Sequence, residues 1–421
     1  MAGPLAGIRV LEFSEIIAAP FGGMLLSDMG ADIIKVEPPE GEPWRLIAQF
    51  VPTESRPFIS LNRGKRSLTL DLTKPEAKKI VSRLVPDMDV VLVNYRPDVA
   101  SKLGIDYDTL SAMNPRLIYC DNTAFGRRGP WAELPGYDII AQAVTGLMAG
   151  EGKVSGRGDP LYIVASPLAD YSTGIAIAWA VSAALFHRER TGEGQLVESS
   201  LLATALAIQG GVVMENPKAD AAFRTPARER RRALQAEGAP YAEQVRARVA
   251  PGRGGMFYRA YRTADGAVAI GALSKPLREK ARRALETGFL GQEDPEYDPH
   301  DPGFLDKARR ATREVEERMQ QRSTAEWLAV LAREGVPAGP VQFPEEMAFD
   351  AQVRANELMV DLNHELSGPQ RTVGPILKFG AAGRPELTAS PPLGRDTDAC
   401  LGEIGCAESE IRELRANGVV A

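Results

Sequence analysis

Asp170 is the side chain in this sequence whose setting most suggests chemistry. It stands at the head of the most apolar helical stretch of the chain, in the segment Ser-Pro-Leu-Ala-Asp-Tyr-Ser-Thr-Gly of residues 166–174. An acid at a helix start can accept hydrogen bonds from the free backbone N–H groups there. The same N–H groups and the helix dipole can instead hold it ionised as a nucleophile. Taken alone, the residue type favours the capping role.

The other residue types that commonly carry catalysis are scarce. The chain has three histidines and three cysteines: His187, His300, His364, Cys120, Cys400 and Cys406. None of them has the spacing of a catalytic triad or a zinc site, so we expect no metal. No Gly-x-Gly-x-x-Gly turn follows the first predicted strand, and the sequence has no Walker A loop. These observations disfavour dinucleotide and nucleoside triphosphate chemistry.

Strands and helices alternate through the first 120 residues. Apolar runs predict strands at residues 8–13, 32–37, 67–72, 90–93 and 117–120, and helices begin near Pro20 and Pro75. This alternation is typical of βαβ units and a mainly parallel sheet. Ligands of such sheets bind at the carboxyl ends of the strands. The expected site therefore lies among residues 14–20, 37–40, 71–74, 94–97 and 121–126.

Size and composition limit the class of protein. With 421 residues, 44% of them hydrophobic and 25% charged, the chain fits a soluble protein of two or three domains. The formal net charge of -6 gives no general reason to bind nucleic acid or an anionic membrane. Few, scattered cysteines fit a reducing compartment, so we expect a cytoplasmic protein. The apolar run 175–186 is too short to span a bilayer and is predicted to form a buried helix.

The second half of the chain has fewer signals. Residues 215–255 are polar and rich in arginine, which indicates either a solvated linker or arginines that meet the phosphates of a ligand. Residues 257–270 predict a hairpin that turns at Asp265-Gly266. A largely helical segment is predicted over 307–334, a strand over 374–379 and a final helix from Glu408.

A set of short motifs gives the chain a resemblance to a known family. They are Gly-Ile-Arg-Val-Leu-Glu-Phe (7–13) with Ala-Ala-Pro (18–20), Leu-Leu-Ser-Asp-Met-Gly-Ala-Asp-Ile-Ile-Lys-Val-Glu (25–37), Asn-Arg-Gly-Lys-Arg-Ser (62–67), Asn-Tyr-Arg-Pro (94–97), Gly-Tyr-Asp-Ile-Ile-Ala-Gln-Ala (136–143), Arg-Thr-Gly-Glu-Gly-Gln (190–195) and Gly-Val-Pro-Ala-Gly-Pro-Val (335–341). In this order and spacing they resemble the class III CoA-transferases, the CaiB–BaiF family, which includes formyl-CoA transferase. The resemblance spans nearly the whole chain.

The resemblance implies an α/β fold with a Rossmann-like large domain, built on a parallel sheet, plus a smaller α+β domain. The large CoA-binding domain would comprise residues 1–212 and be completed by 345–421. The small domain would comprise 256–330, with a linker at 213–255 and a return linker at 331–344. Members of the family form interlocked dimers, so we expect a homodimer of two chains threaded through each other.

The resemblance also implies an activity, the transfer of CoA from an acyl-CoA thioester to a carboxylic acid. Asp170 would attack the thioester carbonyl, which forms a mixed anhydride and releases the CoA thiolate. The thiolate would return to give a β-aspartyl-CoA thioester, from which an incoming acid takes the CoA. Covalent catalysis divides a difficult exchange into easier steps. CoA is a co-substrate in this scheme, and neither histidine nor metal is needed.

The family's site residues carry over by position. Oxyanion donors in a dry site are implied at Ile17, Ala18, Gly254 and Gly255, although the glycines also fit a plain mobile linker. The implied CoA-binding positions are Leu70, Asp71, Thr73, Asn94, Tyr95, Arg96, Lys102, Tyr137 and Asp138. Arg96 and Lys102 are candidates for phosphate contacts, or else ordinary surface cations.

Departures from the family pattern leave the substrate open. Ile17 replaces a glutamine of formyl-CoA transferase, and Pro38 replaces a basic residue after the second strand. These changes put formate and oxalate in doubt and favour a less polar acyl pocket. One alternative is the related α-methylacyl-CoA racemases, but Tyr137 occupies the place of their catalytic histidine. Another is a non-catalytic CoA-binding subunit, which the presence of Asp170 argues against.

Overall fold

The chain divides into two units, and each is described by itself. The computed structural model describes residues 3–222, 224–248, 255–298, 301–383 and 385–421. Unit 1 comprises Met1–Arg248 with Ala351–Ala421, and unit 2 comprises Val249–Asp350. The strands are β1 (Arg9–Phe13), β2 (Asp32–Glu37), β3 (Gln49–Val51), β4 (Glu54–Ser55), β5 (Lys65–Thr69), β6 (Val90–Val93), β7 (Ile118–Thr123), β8 (Gln195–Ser200), β9 (Tyr258–Arg262), β10 (Ala267–Gly271), β11 (Ala338–Pro340), β12 (Met359–His364) and β13 (Gly368–Val373).

The helices of the described residues follow in chain order. They are α1 (Ala18–Asp28), α2 (Pro43–Leu46), α3 (Arg56–Leu61), α4 (Pro75–Leu84), α5 (Pro97–Leu103), α6 (Tyr107–Met113), α7 (Asp138–Val144), α8 (Leu147–Glu151), α9 (Leu168–Thr191), α10 (Leu201–Ala207), α11 (Gly210–Val213), α12 (Pro217–Asp220), α13 (Arg224–Ala236), α14 (Tyr241–Arg246), α15 (Lys275–Ala284), α16 (Pro302–Met319), α17 (Thr324–Glu334), α18 (Ala351–Ala355), α19 (Thr397–Glu403) and α20 (Glu408–Ala416). Short 3-10 turns lie at Val85–Asp87, Gly291–Glu293 and Pro344–Glu346.

A six-stranded parallel sheet in the order β5-β2-β1-β6-β7-β8 organises unit 1. The chain first runs outward from β1 through β2 to β5, and then returns to add β6, β7 and β8 on the other side of β1. This is the strand order of the doubly wound dinucleotide-binding fold, without its glycine fingerprint. The order reverses between β1 and β6, and the crevice outside the carboxyl ends of those two strands is where such sheets bind ligands.

Both faces of this sheet are covered, so its strands are buried on both sides, as parallel sheets require. Alternate side chains of β1 separate the two cores. Leu11 and Phe13 pack with α4 and with Leu401 and Leu414 of α19 and α20. Val10 faces the opposite core, with side chains of α1 and α9. The C-terminal helices therefore complete the same layered structure that the first two hundred residues begin.

Unit 2 has its own core. The antiparallel sheet β11-β10-β9 packs against α15, α16 and α17, as expected for a small α+β unit. Trp327 and Leu331, on one face of α17, are fully buried, and the Trp327 indole N–H donates to the carbonyl of Met319 at 2.8 Å. The hairpin predicted to turn at Asp265-Gly266 is present as β9 and β10. The α/β fold class expected from the sequence is confirmed, whereas the dimer stays a prediction.

The segment 307–334 is largely helical, as predicted: α16 ends at Met319, and Ser323 forms a capping box with Glu326 that starts α17. Two local predictions need correction. The strand predicted at 374–379 is wrong, since the strands of that region are β12 and β13, which end before it. The strand predicted at 67–72 runs from Lys65 to Thr69. The segment 213–255 contains α12, α13 and α14, and its role as a linker stays a prediction.

The predicted buried helix is longer and less buried than expected. α9 runs over 24 residues, and about half of its apolar stretch is buried. Ile175, Trp179 and Phe186 are exposed on one side of it, while its other side packs on α1. By length and composition alone the helix could cross a membrane, although core helices of soluble proteins pass the same weak test.

Candidate functional site

A cavity of about 440 Å³ opens at the point where the strand order reverses. That volume lies within the range of small-molecule sites, about 300–1,000 Å³. Six segments of unit 1 form its wall, and two of them follow β1 and β6 directly. The lining residues are Glu15, Ile16, Ile17, Ala18, Asn94, Tyr95, Arg96, Val99, Asn122, Thr123, Ala124, Pro135, Gly136, Tyr137, Asp170 and Leu201.

Asp170 enters this cavity from the first turn of α9 and is 8% exposed. Burial raises the pKa of its carboxyl to about 7, and the nearby Asp138 carboxylate adds to the shift. Among the described residues, no hydrogen bond reaches the Asp170 carboxylate. Its oxygens are therefore free to meet a ligand, and the group is only partly ionised at neutral pH.

The capping role that the residue type favoured for Asp170 is taken by Asp138 instead. Oδ1 of Asp138 accepts the backbone N–H groups of Ala169 at 2.8 Å and of Asp170 at 3.3 Å. The cap position of α9 itself is Pro167, which has no side-chain acceptor. The Gln142 amide donates to the other Asp138 oxygen and holds that carboxylate in place. Asp138 thus neutralises the start of the helix and leaves Asp170 unbonded.

Two glycines let α1 and α9 cross closely beside Asp170. A Cβ on Gly174 would lie 2.8 Å from the carbonyl oxygen of Ala18 and 2.7 Å from Cδ1 of Phe21. A Cβ on Gly22 would lie 2.7 Å from Cγ2 of Ile177. Only glycine fits at such separations. The crossing brings the first turn of α1, which has no side-chain cap, to the wall that Asp170 shares.

The loop between β1 and α1 is tightly held. Ile16 has a φ of +70°, which is rare for a β-branched residue. The Asn94 side chain holds Glu15, the residue before Ile16, with two hydrogen bonds. Its Oδ1 accepts the Glu15 N–H at 3.0 Å, and its Nδ2 donates to the Glu15 carbonyl at 2.8 Å. Burial also raises the pKa of the Glu15 carboxyl, against the opposing charge of Lys35.

The structure brings together most, but not all, of the predicted site residues. Ile17, Ala18, Asn94, Tyr95, Arg96 and Tyr137 line the cavity with Asp170, and Asp138 contacts the Asp170 backbone. Leu70, Asp71 and Thr73 follow the edge strand β5, two strands or roughly 10 Å from β1 along the same sheet edge. There Asp71 accepts from the Thr73 N–H and hydroxyl in a local turn. These three do not line the cavity.

The two cations predicted to meet phosphates share one partner. Arg96 and Lys102 are both exposed and both pair with Asp98, at 3.1 and 3.2 Å. Exposed pairs of this kind contribute little to stability and are readily broken for a ligand. Of the predicted glycine loop, Gly254 lies outside the described residues. Gly255 is exposed and belongs to unit 2.

No histidine lines the cavity in the part of the chain that the structure describes. His187 is exposed near the end of α9, beside Thr191. His364 is buried next to Glu54, and its Nδ1 accepts backbone N–H groups of its own turn. His300 is not among the described residues. The described lining therefore lacks the histidine–aspartate pair of a racemase.

Several lining residues were not among the predicted site residues. The strand ends expected to bind a ligand include Glu15, Asn122 and Thr123, so the position of these residues was predicted but no role was assigned to them. Pro135 and Leu201 carry no local signal, because they reach the cavity only through the path of the chain between distant elements.

Comparison with known proteins shows which family the chain belongs to. The profile of CoA-transferase family III matches residues 5–397. The chain is 34% identical to succinate–glutarate CoA-transferase of Agrobacterium fabrum over 86% of each chain. It is 30% identical to succinyl-CoA:glutarate CoA-transferase of Mus musculus over 99% of this chain and 90% of the relative. A solved CaiB/BaiF family structure from Brucella suis superposes with a TM-score of 0.73 at 28% identity, covering 96% of this chain and all of the other. The chain therefore belongs to CoA-transferase family III.

Proposed function

We propose that this CoA-transferase works through a covalent intermediate on Asp170. The observation that carries the proposal is a buried carboxyl without a hydrogen-bond partner among the described residues, at the ligand-binding crevice of the sheet. A carboxylate kept dry and unbonded loses less solvation on attack than one in water. CoA thioester and free acid are the co-substrates, as in the relatives.

The chemistry proceeds in four exchanges. An Asp170 oxygen attacks the thioester carbonyl, the C–S bond breaks and the CoA thiolate leaves an acyl-aspartyl anhydride. The thiolate then attacks the Asp170 carbonyl carbon, which frees the donor acid and forms the β-aspartyl-CoA thioester. The acceptor carboxylate then attacks the carbonyl carbon of that thioester, which releases the thiolate and forms a second anhydride. The thiolate attacks the acceptor's own carbonyl carbon in that anhydride, which forms the new acyl-CoA and frees the Asp170 carboxylate. Each exchange makes one bond and breaks one, so no net proton or redox change occurs.

Two features of the site support this sequence of steps. Asp138 accepts the Ala169 and Asp170 N–H groups, which removes donors that would otherwise weaken Asp170 as a nucleophile. The uncapped first turn of α1, at Ile17 and Ala18, offers N–H groups for the oxyanion of each tetrahedral intermediate. Such donors act strongly in a cavity that excludes water.

The acids exchanged are proposed to be small carboxylic acids. The relatives' names include succinate and glutarate, so dicarboxylic acids are the first candidates. Much of the cavity wall is apolar, through Ile16, Ile17 and Leu201, which suits a methylene chain. Arg96 is a cation on that wall, and it could exchange Asp98 for a ligand carboxylate or phosphate.

Intact-mass spectrometry tests the mechanism. The enzyme is mixed with succinyl-CoA and a panel of other acyl-CoA thioesters, with and without hydroxylamine. A CoA adduct, or a hydroxamate after hydroxylamine, should map to Asp170 and be absent from Asp170→Ala. Asp138→Asn is the matched control, because it also removes a carboxyl of the site but leaves the nucleophile, so it should still be labelled. CoA transfer by Asp170→Ala at the wild-type rate would exclude the proposed intermediate.

A further inference from the structure

A buried ion pair lies beneath the cavity without lining it. Lys35, on β2, and Glu42, before α2, are 0% and 2% exposed, and Nζ lies 2.9 Å from Oε1. Neither side chain is in the lining set. Replacing a buried ion pair by apolar side chains is often neutral or stabilising, so stability alone does not explain why charges occupy these positions.

Each partner also contacts the loop between β1 and α1, and Lys35 has a second ion pair with Glu12 at 3.3 Å. Lys35 Nζ donates to the Ser14 carbonyl at 2.7 Å. Glu42 Oε2 accepts the Ile16 N–H at 2.7 Å. With the two Asn94 bonds to Glu15, backbone groups of three consecutive residues are held by side chains from β2, from the residue after β6 and from the segment before α2.

The held segment includes the strained residue and leads directly into the cavity wall. A β-branched residue at φ +70° persists only where its surroundings fix it. Ile17 follows, then Ala18, the first residue of α1, and both line the cavity with Asp170. A change of backbone angle at Ile16 would therefore rotate the first N–H groups of α1 relative to Asp170.

We infer that Lys35 and Glu42 are positioning residues for CoA transfer: together they lock the strained turn at Ile16 and so fix the α1 N–H groups against the substrate at Asp170. The inference rests on the proposed function, because it gives those N–H groups a role in transfer. The pair does not touch the substrate. Its effect passes through the loop backbone to Ile17 and Ala18.

The test compares Glu42→Met, which removes the acceptor of the Ile16 N–H, with Glu42→Gln, which keeps an oxygen acceptor but loses the charge. Arg188→Met is the matched control. Arg188 is a buried cation of the same unit that pairs with Asp89 at 2.8 Å. It lies 18 residues along α9 from Asp170, or roughly 27 Å. Both substitutions should lower thermal stability, since each removes a buried charged side chain and its ion pair, although Lys35 keeps Glu12 at 3.3 Å and Asp89 is partly exposed.

Two measurements separate positioning from general destabilisation. Hydrogen–deuterium exchange should rise in the peptide covering residues 14–18 of Glu42→Met, less in Glu42→Gln, and stay at the wild-type level in Arg188→Met. The kcat for CoA transfer per folded molecule should fall about tenfold or more in Glu42→Met with little change in KM for acyl-CoA. Ile16→Gly, added to Glu42→Met, should restore part of kcat, since glycine adopts φ +70° without strain.

Unchanged exchange at 14–18 in Glu42→Met would overturn the inference. So would a kcat per folded molecule that falls no further than in Arg188→Met. A wild-type enzyme that transfers CoA without labelling Asp170 would instead contradict the proposed mechanism, and the exchange comparison would still decide whether the pair holds the loop.

Discussion

Burial of Asp170 costs stability whenever the carboxyl is ionised. Its pKa is about 7 in the folded protein and 3.8 as an ordinary aspartate, so the folded state binds the proton more tightly than the unfolded chain. The contribution of Asp170 to the free energy of unfolding therefore falls as pH rises from about 4 to about 7 and is constant above that range. A shift of this size corresponds to at most about 4 kcal/mol.

Asp170→Asn should accordingly raise the free energy of unfolding more at pH 8 than at pH 5. Denaturant titration at both pH values measures the difference. Asp108→Asn, at an exposed position of α6, controls for the loss of one carboxyl and should change stability by less than about 0.5 kcal/mol at either pH. An equal gain for Asp170→Asn at the two pH values would mean that the carboxyl titrates alike in the folded and unfolded chains.

The same residue shows how far local sequence reasoning reaches. The apolar run after Asp170 marks a helix start, and the resemblance assigns the nucleophile. What the sequence could not show is that Asp138, 32 positions earlier, supplies the cap. Nor could it show the Lys35–Glu42 pair, because Glu42 lies outside the strand 32–37 that contains the lysine. Contacts between residues distant in sequence form only once the sheet brings its elements together.

At the level of elements, the crossing of α1 and α9 depends on Gly174. In a helix interior alanine is favoured over glycine by about 1 kcal/mol, but overpacking costs about 1–3 kcal/mol. The new Cβ would meet the Ala18 carbonyl, which is backbone and cannot rotate away. Gly174→Ala should therefore lower the melting temperature and, by displacing Ala18, slow labelling of Asp170 about tenfold or more.

Gly402→Ala is the control for this substitution. Gly402 lies in α19 with nothing within 4 Å of the added Cβ, so the same change should be neutral or stabilising by up to about 1 kcal/mol. Differential scanning calorimetry and the adduct assay check both variants. A Gly174→Ala enzyme as stable and as fast as Gly402→Ala would show that the two helices can separate at no cost.

Elements with a strong local pattern were predicted well, and those fixed by tertiary contacts were not. β2 and β6 lie where their apolar runs placed them. The run 374–379 is as apolar as many strands, yet no strand forms there among the described residues, and the hairpin β12–β13 lies just before it. A strand needs a partner, and the sequence of one segment does not say whether a partner is available.

At the scale of the whole molecule, the interlocked homodimer stays a prediction, and exposed apolar side chains on α9 give a physical reason to expect it. Ile175, Trp179 and Phe186 leave large apolar side chains exposed along one side of α9, and Trp179 is 75% exposed. Soluble monomers rarely leave contiguous apolar surface of this kind uncovered. We expect light scattering after size exclusion to give a mass of about twice the 45.5 kDa of one chain.

Interlocking makes a sharper prediction than the mass. Two rings threaded through each other cannot separate by dissociation, so one chain must unfold before subunits exchange. Tagged and untagged homodimers, mixed and diluted under native conditions, should therefore form no mixed dimer over days, as read by native mass spectrometry. Unfolding the mixture in denaturant and refolding it should give the statistical share of mixed dimers. Mixed dimers that appear without denaturant would show an interface that opens by simple dissociation, and a dimer that is not interlocked.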